Sequence, residues 1–495
     1  MSTKNYHIKT NRTFTAFRKY FYIYTFIVAF GGLYFPKLGL SVIVIMLGLI
    51  LFAFFKGRYW CGNICSHGSL YDAVLMPFSR NGDIPAFFKS KIFIALFFGW
   101  FMYNWGGGML NAFLTYEANT VAFWDQVGFV FAATYLTVTI IGSTTGLFFA
   151  PRTWCQFCPM GTMQRASYKL GKATGVTSYT DEKVTIVDPE QCHKCGKCAR
   201  VCPMQLSPYT EFSSNNQLDA SNCIRCSTCI ENCPAGLLTL STERTAQFIN
   251  DNLIAKCRAT DKENNRQRMT AKLIKIHQLK DDVRELTFET PERCDYKVGQ
   301  FILVRVQQHP NEMFRAYSIS SFDQDSRTLS VTVKKAPHGY GGEIVFEKFE
   351  QGIEVVLEGP LGHELLVDEG ADKILLIGGG IGITPFRAIA QEMAQRQSKQ
   401  QMTLIYGVNH SDEMLYEEDF KQLAQDNTGF TFVPVVANDS NWGGETGFVT
   451  DYLEKIEDIH EYKVYMCGPK AMVEVATETL NQLGVDKENI SAESA

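Results

Sequence analysis

Long apolar runs interrupted by single charges dominate the first 160 residues. Uncharged stretches of 17, 18, 25 and 26 residues lie between Lys19 and Lys37, Lys37 and Lys56, Lys91 and Glu117, and Asp125 and Arg152. Roughly 17 to 25 helical residues cross about 30 Å of hydrocarbon, so the pattern predicts four transmembrane helices. The first two stretches are marginal in length and meet at Pro36 and Lys37, which leaves a re-entrant hairpin as the alternative. A cleaved signal peptide fits poorly, because the run at 20–35 leads into a second run and shows no Ala-x-Ala site. From about residue 269 the pattern changes to short alternating patches at 271–276, 285–289, 301–306 and 329–334, separated by turns, as a small β-barrel requires. A buried strand at 373–377, a glycine turn at 378–385, a helix at 386–395 and strands at 402–406 and 463–466 then predict a parallel α/β domain.

Charge separates the chain along the same line. Residues 1–180 carry 15 Lys and Arg against 4 Asp and Glu, and the remainder carries 32 against 48, which together give the net −5. The basic residues flank apolar runs rather than striping a soluble face, which argues for a membrane and against nucleic acid as a partner. Lys4, Lys9, Arg12, Arg18 and Lys19 precede the first run, Arg58, Arg80, Lys89 and Lys91 lie between the second and third, and Arg152, Arg165, Lys169 and Lys172 follow the fourth. Positive loops stay inside, so the expected topology is multi-pass in a bacterial-type inner (cytoplasmic) membrane with both termini cytoplasmic.

Twelve of the 15 cysteines fall in tight clusters, two or three residues apart, as reduced metal ligands do in a long cytoplasmic chain. Cys192-x2-Cys195-x2-Cys198-x3-Cys202-Pro203 recurs 31 residues later as Cys223-x2-Cys226-x2-Cys229-x3-Cys233-Pro234. In such runs the fourth cysteine ligates the other cluster. The spacing therefore assigns Cys192, Cys195, Cys198 and Cys233 to one 4Fe-4S cluster, and Cys223, Cys226, Cys229 and Cys202 to a second; zinc would ask for paired C-x2-C knuckles instead. A weaker repeat, Arg58-x-Trp60-Cys61-x3-Cys65 and Arg152-x-Trp154-Cys155-x2-Cys158, follows the second and fourth runs, each with a glycine three residues on, Gly68 and Gly161. The two pairs could meet at the inner face as one four-thiolate site for iron or an Fe-S cluster. Zinc is also compatible with thiolates, and two unrelated pairs of interfacial thiols are the structural alternative. His67 is expected to be interfacial and solvated, with ligand or quinone donor as its other roles.

With both cysteine patterns in view, residues 20–240 resemble the membrane polyferredoxins that accompany nitrous oxide reductase and periplasmic nitrate reductase. Those relatives read C-x3-C-P twice, whereas here Ser66 follows Cys65 and the second motif is C-x2-C-P. Farther along, Arg315-Ala-Tyr317-Ser318, Gly339-Tyr-Gly341-Gly342, Gly359-Pro-Leu-Gly362, the Gly378 to Pro385 turn and Cys467-Gly468-Pro469 occur in the order found in ferredoxin-NAD(P) reductases. That resemblance covers 269–495 and implies a flavin-binding β-barrel followed by an α/β nicotinamide-binding domain. It implies that Arg315 pairs with the flavin phosphate, beside a phosphate loop at Gly339, Gly341 and Gly342. Tyr317 would lie along the isoalloxazine, and Ser318 near flavin N5. Gly378, Gly379, Gly380, Gly382, Thr384 and Pro385 would admit the pyrophosphate, with Gly468, Pro469 and Cys467 beside the nicotinamide. Glu493 matches a family acid near the flavin. Gly342 stands where a serine is frequent, so FAD is favoured over FMN without being secured. No aromatic residue follows Glu493, and the absence of an arginine after Tyr406, with Asp412 nearby, favours NADH over NADPH. By default Cys257 and Cys294 are small buried residues, as Cys467 would be without a cofactor role.

The expected organisation is a basic cytoplasmic N-terminus (1–19), a four-helix α transmembrane region (20–160), a connector (161–185), a bacterial-type two-cluster ferredoxin domain (186–242), a linker (243–268), a flavin-binding β-barrel (269–368) and an NAD-binding α/β domain (369–495). The expected function is an NADH-dependent flavin and iron-sulfur oxidoreductase. It would pass electrons through the two clusters to the inner-face thiolate site, and on to a quinone or to a membrane or periplasmic flavin or haem partner protein. Direction is open. A membrane-anchored reductase serving an oxygenase or desaturase, and a redox sensor, are the alternatives; the first has no use for Cys61, Cys65, Cys155 and Cys158, and the second none for a hydride donor.

Overall fold

The computed structural model describes residues 6–114, 120–259, 266–308, 311–325, 327–337 and 339–494, the side chains of 120, 121, 254–259 and 494 excepted. The chain forms two compact units, Met1–Cys192 with Gly196–Lys262, and Glu263–Ala495 with His193–Cys195.

In the first unit the apolar runs become helices. Among the described residues two, Pro36–Lys56 and Ala122–Phe148, are long and apolar enough to cross a membrane. The other two expected spans differ. The first run is broken into Tyr22–Phe26, a π-turn at Ile27–Gly31 and Gly32–Tyr34. The third is one continuous helix, Lys91–Leu114, whose apolar character is diluted by Tyr103, Asn104 and Gly106 to Gly108. The pieces pack through small residues. A Cβ on Gly39 would meet the Gly128 carbonyl oxygen at 2.0 Å, and one on Gly128 would meet that of Pro36 at 2.1 Å, so backbone lies on backbone as membrane helices permit. Large apolar side chains stay exposed along all four runs, among them Ile27, Leu47, Leu96, Tyr103 and Ile140.

After Arg152 the chain is less irregular than a connector. Helix Pro159–Ala173 leads to strand β1 (Lys183–Ile186), which pairs antiparallel with β2 (Leu238–Ser241) across the ferredoxin repeat. The charged stretch expected to be a linker begins instead as helix Glu243–Ala259, because its apolar residues recur at helical spacing beneath the charges.

The second unit holds two six-stranded sheets. The barrel sheet uses β3 (Gln267–Lys280), β4 (Val283–Glu289), β5 (Phe301–Gln307), β6 (Met313–Ser318), β7 (Thr328–Lys334) and β8 (Glu354–Leu361) in the order β6-β5-β8-β3-β4-β7, all antiparallel. A bridge from Ile319 to Val331 joins its ends. The second sheet is parallel, built from β9 (Lys373–Gly379), β10 (Gln401–Val408), β11 (Phe430–Val436), β12 (Glu445–Thr446), β13 (Lys463–Gly468) and β14 (Ile490–Ser494) in the order β12-β11-β10-β9-β13-β14. The order reverses between β9 and β13. In doubly wound sheets ligands enter at such a switch point, beyond the strands' carboxyl ends. Here those ends carry Gly378-Gly379 and Cys467-Gly468.

Candidate functional site

At the edge of the helical region the two Arg-x-Trp-Cys motifs meet. Each motif's arginine reaches across to the other: Arg58 Nη2 donates to the Cys155 carbonyl at 2.8 Å, and Arg152 Nη1 donates to the Cys61 carbonyl at 2.9 Å. Each also approaches the thiol of its own motif, Arg58 to Cys61 Sγ at 3.8 Å and Arg152 to Cys155 Sγ at 3.7 Å. The trailing glycines make room for this exchange, since a Cβ on Gly68 would lie 2.6 Å from Arg152 Nη1 and one on Gly161 2.9 Å from Arg58 Nη2. Cys61, Cys65, Cys155 and Cys158 line one cavity of about 160 Å³, with both arginines, Trp60 and Trp154.

Charge inside this cavity is organised. Burial and the neighbouring Cys61 push the thiols of Cys65 and Cys158 up to about 12, so four adjacent thiolates need a cation to persist. Arg58 and Arg152 are fully buried, and Asp72 is buried between Arg152 (2.6 Å), Arg18 (3.1 Å) and Arg12 (3.9 Å). Burial alone would raise the Asp72 carboxyl; the guanidinium of Arg152, then those of Arg18 and Arg12, overcome it and hold it at about 2. Arg58 Nε and Nη1 are buried with no hydrogen-bond partner. An anionic thiolate-bound cluster fits this donor set, because its sulfur atoms would accept from those N–H groups. Among the described residues no three His, Cys, Asp or Glu side chains close on a single ion. One ion at 2.3 Å from each thiolate would require sulfurs about 3.8 Å apart, a tighter arrangement than a polynuclear cluster needs.

His67 is not the solvated residue expected. It is buried, its Nε2 lies 3.0 Å from Thr139 Oγ1, and its ring centroid lies 4.4 Å from that of Tyr135, which itself hydrogen-bonds Ser66. The second repeat has Pro159 and Met160 in place of Ser66 and His67, so the two repeats line the cavity unequally.

The ferredoxin cysteines of both runs lie close to one another. Cys223 and Cys229 are buried, and Cys192, Cys198 and Cys233 pack around them with Val184, Ile186 and Leu218. The Cys202 thiol is pushed up to about 12 by burial and by Cys226 and Cys223, which places the fourth cysteine of the first run beside the second. Cys195 is half-buried.

In the second unit Arg315, Tyr317 and Ser318 lie along β6, all half-buried. Arg315 packs on the start of helix Tyr340–Lys348, where a Cβ on Gly341 would strike its Cγ and Nε at 2.8 Å; such a helix start with a guanidinium beside it suits a phosphate. Gly342 sits against Lys335, and Gly339 against Ala336. Ser318 pairs with Phe301, Phe301 packs on Gly362, and Gly362 faces Glu493. Glu493 is the register partner of Cys467 on the neighbouring strand, so Ser318, Cys467 and Glu493 converge on one region. Burial, then the adjacent Glu364, raises the Glu493 carboxyl to about 7, and burial with Glu493 pushes the Cys467 thiol to about 12.

The glycines of the nucleotide turn divide into two kinds. Gly379 and Gly468 are spaces for Met472, and Gly382 lies on the Cys467 carbonyl, where a Cβ would come within 2.2 Å. These are packing glycines. Gly380, with φ +55° and nothing within 4 Å of its would-be Cβ, is open to a ligand. Thr384 and Pro385 begin the buried helix Thr384–Arg396, and Gly378 packs on Ile383 and Phe386. Pro469 precedes helix Lys470–Gln482. Cys294 is buried, while the Cys257 side chain lies outside the described residues.

Family profiles match four parts of the chain: a 4Fe-4S binding domain at residues 38–85 and again at 131–177, a 4Fe-4S dicluster domain at 184–234, an oxidoreductase FAD-binding domain at 270–364 and an oxidoreductase NAD-binding domain at 376–478. The chain fuses iron-sulfur domains to a ferredoxin-reductase-like flavoprotein. It is thus an oxidoreductase with 4Fe-4S, FAD and NAD domains, as its motifs imply. The fusion is 30% identical over 236 residues to the F component of the Na(+)-translocating NADH-quinone reductase of Serratia proteamaculans, covering 44% of this chain and 58% of that one. It is 31% identical over 222 residues to the same component of the Actinobacillus succinogenes enzyme, covering 41% and 54%. The chain therefore spans just over half the length of these relatives. Among solved structures it is similar to the Amycolatopsis cytochrome P450 reductase GcoB, at 26% identity and TM-score 0.43, covering 46% of this chain and 70% of that one. The ferredoxin reductase in carbazole 1,9a-dioxygenase is similar at 26% identity and TM-score 0.42, covering 46% and 69%.

Arg18, Arg58, Arg152, Asp72, Phe301 and Glu364 were not marked as functional by sequence reasoning. The signal for Arg58 and Arg152 was present, because each opens a repeat as regular as its cysteines; the other four are visible only once the chain is folded.

Proposed function

We propose that this protein is a membrane-bound NADH-dependent electron-transfer oxidoreductase that delivers electrons from its flavin and two 4Fe-4S clusters to a third centre on Cys61, Cys65, Cys155 and Cys158, and from there to a membrane or periplasmic acceptor. One observation carries the proposal: two cysteine pairs far apart in sequence share one buried cavity with two reciprocal arginines. Four membrane spans with both termini cytoplasmic complete the arrangement, supported by the exposed apolar side chains on every run and by the basic loops.

In the reductase unit Arg315 and the start of helix Tyr340–Lys348 would hold the flavin phosphate, with Tyr317 and Ser318 the residues that would meet the ring. The helix start after Gly380, with Thr384 and Pro385, would take the dinucleotide pyrophosphate, and Cys467, Gly468 and Pro469 would lie beside the nicotinamide. Asp412, exposed after β10, disfavours a 2′-phosphate and so favours NADH. FAD, when bound, accepts a hydride and can release its electrons singly. Glu493, whose carboxyl burial and Glu364 raise to about 7, carries only part of a negative charge near neutrality. Around the membrane centre Arg58 and Arg152 balance the thiolates. The acceptor is a partner protein or a quinone; Ser66, His67 and Tyr135 beside the apolar lining of the cavity suit a small acceptor with a polar head.

The test uses Cys61→Ala and Cys155→Ala in the full chain. NADH oxidation with ferricyanide is expected to remain near the wild-type rate while electron delivery to the membrane acceptor falls below a tenth. Unchanged delivery in both variants would remove the membrane centre from the path and leave an anchored reductase.

A further inference from the structure

The membrane motifs and the ferredoxin repeat touch at specific places, all within the first unit. Gly62, next to Cys61, has no room for a side chain, because a Cβ would meet the Ile224 carbonyl oxygen at 2.0 Å and the Cys226 Cβ at 3.2 Å. One residue on, Asn63 Nδ2 donates to the Arg225 carbonyl at 3.1 Å. The second membrane motif makes the equivalent contact, with Gln156 Nε2, next to Cys155, donating to the Met204 carbonyl at 3.1 Å, two residues beyond Cys202. Cys61, Cys155, Cys226 and Cys202 therefore belong to one packed core, together with Ile224, Met204 and Cys158. Cys223 and Cys229 pack around β1 and β2 together with Cys192, Cys198 and Cys233, so the second cysteine run reaches both cores, whereas none of Cys192, Cys198 and Cys233 belongs to the core that holds Cys61 and Cys155.

A charged bridge fixes the same junction. Arg18 Nη1 donates to the Cys226 carbonyl at 2.8 Å and its Nη2 to Asp72 at 3.1 Å. Asp72 in turn accepts from Arg152 Nε at 3.1 Å and Nη2 at 2.6 Å, and Arg152 holds the Cys61 carbonyl and the Cys155 thiol. All three side chains are buried. A buried charge left without its partner is strongly destabilising, so each of these three side chains depends on the others, although Arg18 Nε itself has no hydrogen-bond partner among the described residues.

We propose that the cluster on Cys202, Cys223, Cys226 and Cys229, and not the one on Cys192, Cys195, Cys198 and Cys233, is the immediate electron donor to the membrane centre, and that Arg18, Asp72 and Arg152 are positioning residues that lock the two centres together. The inference rests on the reading of Cys61, Cys65, Cys155 and Cys158 as a redox centre. The step is a single-electron transfer: the donor cluster is oxidised by one electron, the membrane centre is reduced by one, no bond is made or broken, and NADH is the ultimate reductant. Tunnelling falls steeply with distance, so backbone contact at Gly62 and the fixed bridge decide which cluster donates.

The test is paramagnetic relaxation in the dithionite-reduced full-length protein, with iron counted on the same samples. The membrane centre's spin relaxation is expected to be accelerated in the wild type and in Cys198→Ser, and to slow in Cys229→Ser, where the donor cluster is lost. Asp72→Asn is expected to keep wild-type iron, move the membrane centre's potential to a more positive value and cut delivery to the membrane acceptor at least fivefold. Asp72→Glu is expected to restore delivery, and Arg18→Lys to retain most of it should Asp72→Asn fold poorly. Acceleration lost in Cys198→Ser but kept in Cys229→Ser would overturn the order of clusters. Unaltered potential and delivery in Asp72→Asn would overturn the positioning role. An iron count no higher than that of two clusters would instead refute the membrane centre itself, and this inference with it.

Discussion

Glu493 shows how one side chain ties the reductase chemistry to pH. Its carboxyl titrates at about 7 rather than near 4.5, because it is buried and faces Glu364. The folded state therefore binds this proton more tightly than the unfolded chain does. The resulting stability is fully present below about pH 4.5 and is lost as pH rises through about 7. Partial exposure limits the contribution to about 2 kcal/mol. Glu493→Gln is expected to flatten the decline in thermal stability between pH 6 and pH 9, and to remove an inflection near pH 7 from the NADH–ferricyanide rate. A profile identical to wild type in both measurements would place the titrating group elsewhere. The carboxyl's presence beside a flavin was suggested by resemblance; its elevated proton affinity was not legible, because it depends on Glu364, which is remote in sequence and adjacent only through β14.

Among elements, two glycine contacts make opposite demands on function. Gly382 packs on the Cys467 carbonyl and holds the nucleotide turn against the end of β13. With Gly382→Ala that turn must move, and displacement of a binding loop by a fraction of an ångström is expected to raise KM for NADH by roughly tenfold, with flavin content unchanged. Steady-state kinetics with ferricyanide checks this. Gly128 is the counterpart in the helical region, where a Cβ would meet the Pro36 carbonyl oxygen at 2.1 Å. Overpacking there costs about 1–3 kcal/mol, so Gly128→Val is expected to lower the midpoint of thermal unfolding in detergent while leaving the isolated NADH–ferricyanide rate intact. Strands β3, β4, β5, β7, β9, β10 and β13 were legible from alternation or buried runs. Strands β8, β11 and β14 were not, and β6 was seen only as a motif: β8 is buried on both faces, β14 is short, and β11 carries Pro434 in its middle. The break in the first apolar run was not legible either, because hydropathy reports the cost of leaving lipid and says nothing of the π-turn at Ile27–Gly31 or of the close approach of Gly32 to Ala132.

For the whole molecule, the domains emerged in chain order because each carries its own signature: periodicity for the barrel, glycines for the nucleotide sheet, cysteine spacing for the ferredoxin. The meeting of Cys61 and Cys65 with Cys155 and Cys158 was an expectation drawn from a repeat that also carries Arg58 and Arg152, whereas Asp72, which holds Arg152 in place, was invisible until the chain folded. The electron path therefore stands or falls on whether that cavity holds metal. The deciding measurement is iron, acid-labile sulfide and flavin in the detergent-purified protein, compared with the Cys61→Ala/Cys155→Ala double variant. Iron above the roughly eight atoms of two 4Fe-4S clusters in the wild type, with the excess and its sulfide lost in the variant and flavin unchanged, is the predicted result. About eight iron atoms in both proteins would contradict it and make the membrane cysteines structural.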